Sequence, residues 1–155
     1  MNRRHFMHSL ALLPVAVTAG CARSEDVARK YNPPLYPNET PTLRKKINYW
    51  ADHYEVPRSL VHRLAVREST HRPEATNRPY YGLLQILPAT ARSMGFKGQP
   101  QDLLDADTNL KYAVRYLRGA WLLADGSQDM AVKHYSRGYY YEAKRRGMLK
   151  ETGLR

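Results

Sequence analysis

The chain has one cysteine, Cys21, in 155 residues, so no internal disulfide can form and an apolar core must hold the fold. No apolar run is long enough to cross a bilayer: residues 10–17 fall far below the roughly 20 that an ordinary transmembrane helix needs. Internal repeats are absent, and no segment alternates as a half-buried strand should, apart from a short stretch near residues 80–86. A sheet-based architecture is therefore excluded. Acidic residues are few, with 14 Asp and Glu against 25 Lys and Arg and a formal charge of +11. That excess points to a polyanionic partner, and nucleic acid, anionic lipid and an acidic cell wall all qualify.

What is present begins with a secretory layout. A basic start at Arg3 and Arg4 leads into the apolar residues 10–17, then Thr18-Ala19-Gly20 ahead of Cys21. These are the charged, apolar and cleavage regions of a signal peptide. Arg3-Arg4-His5-Phe6-Met7 resembles the twin-arginine export motif, although ordinary signal peptides also open with paired basic residues, so the export route stays open. Thr18-Ala19-Gly20-Cys21 resembles a bacterial lipobox, with Thr18 where Leu is usual. That resemblance implies a lipidated Cys21 and a periplasmic protein held by its N-terminus to a membrane. Ala22, in place of an aspartate that retains some lipoproteins at the inner membrane, favours the outer one. Loss of residues 1–20 removes two arginines, leaving a charge of +9 and about 135 residues, enough for one modest domain.

Residues 21–41 contain Pro33, Pro34, Pro37 and Pro41 without an apolar period. This predicts an extended tether, the alternative being a strap packed on the domain through Tyr31, Leu35 and Tyr36. The domain is expected over 42–150, with 151–155 as a tail. Thr40-Pro41 has the form of a helix cap, followed by Leu43, Ile47, Trp50, Ala51 and Tyr54 at helical spacing. A second helix opens at Pro57 and runs to about Thr70. A compact one spans 88–94, and Gly95 lies just past its end. The clearest starts at Asp107 or Thr108, with Leu110, Ala113, Val114, Leu117, Ala120, Trp121 and Ala124 on one stripe before Gly126. A further helix is predicted over 128–137, and another through 142–146. The reading is an all-α domain of five to six short helices.

One carboxylate sits on the apolar face of its helix. On a wheel with Leu60 at zero, Leu64 falls near 40°, Val61 near 100° and Ala65 near 140°, and Glu68 lies amid them at about 80°. Arg63 and Arg67 lie to one side and His62 opposite, with Val66 an apolar exception on the outer face. Desolvating a glutamate is costly. Three explanations compete: a buried cationic partner, a helix end open to water, or the lining of a cleft.

Ala65-Val66-Arg67-Glu68-Ser69, then Gly82-Leu83-Leu84-Gln85-Ile86-Leu87-Pro88-Ala89-Thr90-Ala91, then Tyr135-Ser136-Arg137-Gly138, resemble the soluble lytic transglycosylase (SLT) domain family of the lysozyme-like superfamily. The stretches at 51–57 and 107–110 are also similar to it, so the resemblance covers about residues 43–140. The central segment is highly specific, whereas a Glu-Ser pair alone would mean nothing. Two departures stand out. Ser136-Arg137 replaces the usual Asn-Ala, and Arg78-Pro79-Tyr80-Tyr81 occupies a loop where many members carry a Gly-Ala pair. Both bear on the grip on substrate rather than on the chemistry. Leu84 for Met conserves volume.

The resemblance implies a lysozyme-like helical domain, with at most a short β-hairpin near the cleft, that cleaves the MurNAc-β-1,4-GlcNAc bond of peptidoglycan. Glu68 would be its single catalytic acid and base. A glycosidic oxygen must be protonated to leave, and burial keeps a proton on a carboxyl group above its ordinary range. Most glycosidases use two carboxylates, but no second acid lies between residues 75 and 101. Asp102, Asp105 and Asp107 have the positions of turn and cap residues. In the family's mechanism one group suffices: it protonates the leaving oxygen, then deprotonates the muramic acid 6-hydroxyl, which closes to a 1,6-anhydro product. By the same resemblance Ser69 orients substrate, Gln85 borders the cleft and Tyr135 positions Glu68 or stabilises the transition state. Ser69 as a backbone-bonding hydroxyl and Tyr135 as a core residue are the alternatives.

Twelve tyrosines against two phenylalanines suit a sugar cleft. Tyr80 and Tyr81 are the candidates for contact beyond the motif, while Tyr112 and Tyr116 fit structural or surface places. Tyr139-Tyr140-Tyr141 cannot all face one way on a helix. Lys144, Arg145 and Arg146 suit a solvated surface or contact with peptide-stem carboxylates. No cofactor is implied, and His53 and His62 make no metal set. The expected partner is the glycan strand, bound by a monomer with no role for nucleic acid. Rival readings are a lysozyme-like hydrolase, a non-catalytic wall-binding module and, on charge alone, a nucleic-acid binder.

Overall fold

The computed structural model describes residues 33–154. The leader, Cys21 and Tyr31 lie outside the described residues. Helix α1 (Pro41–His53) begins where Thr40 Oγ1 accepts the Leu43 amide at 3.1 Å and Pro41 occupies the first turn. Helix α2 (Arg58–Ser69) follows Pro57 and stops at Thr70, whose φ of 52° is left-handed. A two-residue hairpin, β1 (Thr76–Asn77) and β2 (Tyr80–Tyr81), pairs Thr76 with Tyr81 and Asn77 with Tyr80. An isolated bridge joins Tyr81 to Ile86. The short α3 (Pro88–Ser93) and a 3-10 turn (Pro100–Leu104) lead into α4 (Ala106–Leu122), then α5 (Gln128–Arg137) and α6 (Tyr140–Arg145). The described residues are thus an all-α domain with one small hairpin, as the sequence predicts.

α4 is the centre of the packing and contacts α5, α1, α3 and the 3-10 turn. Its stripe of Leu110, Ala113, Val114, Leu117 and Ala120 is fully buried against Ile47, Leu60, Leu64 and Leu83. Its start at Ala106 lies one residue before Asp107, because Asp105 is the cap and accepts the Thr108 amide at 2.8 Å. Asp107 turns outward to Lys46 and the Trp50 indole of α1. α6 likewise begins two residues early, at Tyr140.

Both ends of the domain depart from expectation. Over residues 33–40 the segment predicted as a tether is a strap. Arg44 donates to the carbonyls of Pro33 and Pro34, Asn38 donates to the Thr70 carbonyl, and Tyr36 stacks on His62 and His71. This strap explains His62, which the helical wheel places on the outer face of α2 and which is fully buried: the outer face is covered. At the other end, residues 151–154 are no loose tail. Thr152 is buried and Leu154 packs on the core. Among the described residues no helix is long and apolar enough to cross a membrane.

Candidate active site

Glu68 lies in the last turn of α2 and lines a cleft of about 320 Å³ with Arg67, Asn77, Tyr80, Gln85, Tyr135 and Ser136. A second concavity, about 280 Å³, shares Tyr80, Gln85, Tyr135 and Ser136 with it. The two are halves of one groove. Glu68 is the one carboxylate among the residues lining either half. Its side chain keeps 21% exposure, and the nearest cation is Arg67, Nε to Oε1 at 3.5 Å, beyond good hydrogen-bonding distance and itself half exposed. Burial pushes the Glu68 carboxyl above its ordinary value of 4.5 against the opposing charge of Arg67. Of the three explanations open at the sequence level, the cleft and the wet helix end hold together, and a neutralising buried partner does not.

Gln85, which lines the groove with Glu68, ends the buried loop Gly82-Leu83-Leu84-Gln85, and three helices fasten that loop. From α2, Ser69 Oγ donates to the Leu83 carbonyl at 2.7 Å. From α4, Asn109 Oδ1 accepts the Leu84 amide at 2.9 Å while its Nδ2 donates to the carbonyls of Tyr81 and Leu103. From α5, the Tyr135 hydroxyl donates to the Leu84 carbonyl at 2.8 Å. Gln85 then takes a left-handed φ of 46° and ties back through Nε2 to Ala75 and Gly82. Gly82 admits no side chain: at φ 78° an added Cβ would stand 2.1 Å from the Leu103 carbonyl oxygen. The Leu83 carbonyl and both polar backbone groups of Leu84 thereby take partners from other elements, which fixes the loop that carries Gln85 into the groove.

A family model for the transglycosylase SLT domain matches residues 45–149. The chain belongs to this family. No curated protein and no solved structure matches it. Membership carries a peptidoglycan-directed, lytic-transglycosylase-type function at the level of the family, which acts outside the cytoplasm.

Within this SLT domain the residues singled out in the sequence fall into two groups. Glu68, Gln85, Tyr80 and Tyr135 meet in the groove. Ser69 is 4% exposed and its hydroxyl is engaged by Leu83 and the Arg72 amide, so it holds the loop and does not face the cleft. Tyr135 likewise directs its hydroxyl to Leu84, not to Glu68. Tyr81 packs against the core, because alternation along β2 turns it away from the side that Tyr80 presents. Tyr116, expected to be structural or at the surface, lines the second half of the groove and stacks on Tyr139. Of the tyrosine run, Tyr139 is buried and Tyr141 is 83% exposed. Asp102, Asp105 and Asp107 border a separate hollow beside Trp50 and Tyr112. Asn109 is the residue that sequence reasoning passed over as a site residue. Its signal was present, an amide one turn before Ala113 on the apolar stripe.

A second polar cluster lies under the strap. Glu39, His62 and His71, all buried, bring one ligand atom each within 4.8 Å of one another, a grouping with metal-site dimensions that the sequence spacing of the histidines does not suggest. Apart from His71 Nδ1, which is buried without a hydrogen-bond partner, its polar atoms are engaged in another way. Arg44 forks both oxygens of Glu39 at 2.6 Å, His62 Nδ1 meets His71 Nε2 at 3.2 Å, and His62 Nε2 meets Asn48 Oδ1 at 3.2 Å. A cation here would sit against a guanidinium. Burial lowers the His62 imidazole to about 4, with the Glu39 charge opposing, and lowers His71 as well. Burial would raise Glu39, but the bonds from Arg44 and the Tyr36 amide outweigh it and hold the carboxyl ionised. The cluster is a latch between strap and α2.

Proposed function

We propose that the chain is an exported lytic transglycosylase that cleaves the MurNAc-β-1,4-GlcNAc bond with Glu68 as sole acid and base, working as a monomer on glycan strands. The observation that carries this reading is the isolation of Glu68: one carboxyl group, alone of its kind in the groove, half buried and held above its ordinary pKa. Such a group retains a proton near neutrality and can give it to a departing glycosidic oxygen. The resulting carboxylate then accepts the proton of the muramoyl 6-hydroxyl, whose oxygen closes on the anomeric carbon to form the 1,6-anhydro ring. With no second carboxylate in the groove to activate water or to form a glycosyl ester, a two-carboxylate hydrolysis lacks its partner. Tyr80 offers a ring face to the sugar, and the fastened loop holds Gln85 in the groove.

The leader and Cys21 fit export and lipid anchoring to the outer membrane, and residues 33–40 then tie the anchor's connection to the back of α2. Mass spectrometry of fragments released from sacculi by the wild-type chain tests the reaction type. Anhydro-muramoyl ends are expected. Reducing ends in their place would make the protein a hydrolase.

A further inference from the structure

The half of the groove beyond Glu68 has apolar walls from Tyr80, Ile86, Leu87 and Tyr116, the hydroxyl of Thr90, and one cation, Arg137. No acid lines it. Arg137 is the exposed last residue of α5, and Gly138 at φ 80° turns the chain away directly after it. Three other arginines are engaged by acids: Arg145 by Glu142, Arg146 by Glu142 and Asp125, and Arg63 by Asp129. The first two, candidates for contact with peptide stems, line neither half of the groove. The Arg137 side chain has no ion pair or hydrogen bond among the described residues.

We propose that Arg137 reads a carboxylate on the muramoyl side of the substrate. The proposal rests on the reading of this groove as a glycan cleft. The two halves share Tyr80, Gln85, Tyr135 and Ser136, so a strand seated at Glu68 continues past Arg137. Hydroxyl and acetamido groups along such a strand are neutral. Carboxylate is the group that a guanidinium fork holds with two parallel charge-assisted hydrogen bonds. It has two sources: the lactyl carboxylate, free wherever the stem peptide has been removed, and the acidic groups of a stem still attached. Either way, Arg137 sets which strands are bound, and Glu68 sets what is done to them.

Affinity, not turnover, is the direct test. Calorimetry on the full-length chain carrying Glu68→Gln, with and without Arg137→Gln, would use three muramoyl oligosaccharides: stripped of stems, bearing stems, and stripped with each lactyl carboxylate capped as its methylamide. Arg137→Gln should weaken binding of a carboxylate-bearing probe about 10-fold and leave the capped probe unchanged. Loss on the stripped probe identifies the lactyl group, and loss confined to the stem-bearing probe identifies the stem. Equal affinities of the two proteins for all probes would overturn the proposal. So would an equal loss on the capped probe, which would mean that the arginine acts through its aliphatic stem. Binding of no probe by either protein would remove the glycan-cleft reading and this proposal with it. Reducing ends released by the wild-type chain would alter the reaction assigned to Glu68 and leave this result standing.

Discussion

At the scale of single residues, activity depends on how a carboxyl group and its neighbours share charge. Burial raises Glu68 and the half-exposed Arg67 lowers it. Because an acid catalyst is competent only while protonated, activity should fall as pH rises through the Glu68 pKa. Arg67→Gln removes the opposing charge, so the alkaline limb of the kcat/KM profile should move to higher pH, measured on soluble muramoyl oligosaccharides. An unmoved limb would mean that some other group sets it. Asn109 is the structural counterpart. Its amide serves Leu84, Tyr81 and Leu103 at once in a fully buried place. Asn109→Ala takes the side-chain partner from the buried Leu84 amide and Leu103 carbonyl, while the Tyr81 carbonyl keeps the Ile86 amide, and should cost about 2–4 kcal/mol by denaturant titration, with activity lost beyond what stability explains. Glu68 was legible because a charge on an apolar wheel is conspicuous. Asn109 was not, since one amide in a long apolar stripe looks like tolerance until Tyr81 and Leu84, distant in sequence, are brought to it.

At the scale of elements, helices could be placed because caps, prolines and apolar spacing act locally. Thr40-Pro41, Pro57 and Pro88 each mark a start that the structure keeps within a residue. The strap could not be placed this way. Its order comes from Tyr36, Glu39 and Asn38 meeting residues 62, 70 and 71 across long separations, and a proline-rich composition carries no trace of that. The same contacts make it sensitive to acid. The unfolded chain takes up imidazole protons near 6.5, whereas folded His62 resists them until about 4. Its contribution to stability is therefore present above about 6.5, declines below that, and is lost as pH falls through about 4. His71, also depressed, acts in the same direction, with Arg44, Arg58 and Glu39 the surrounding charges. The melting temperature should drop between pH 7 and 4.5, and it should drop less in His62→Gln. An equal drop in both would place the acid sensitivity elsewhere.

At the scale of the whole molecule, a chain with a charge of +11 has a modest helical domain with one carboxyl group in its groove, behind an N-terminal sequence that resembles an export leader. Family membership fixes the class of target, a polyanionic wall that agrees with the charge. The central claim is that one side chain performs both proton transfers. It is tested most directly by quantifying anhydro-muramoyl ends released from intact sacculi by the wild-type chain and by Glu68→Gln, with the variant's fold checked by circular dichroism and thermal melting. The account predicts a folded variant whose release of anhydro ends is reduced about 10³-fold or more. A folded Glu68→Gln protein that releases them at the wild-type rate would contradict it.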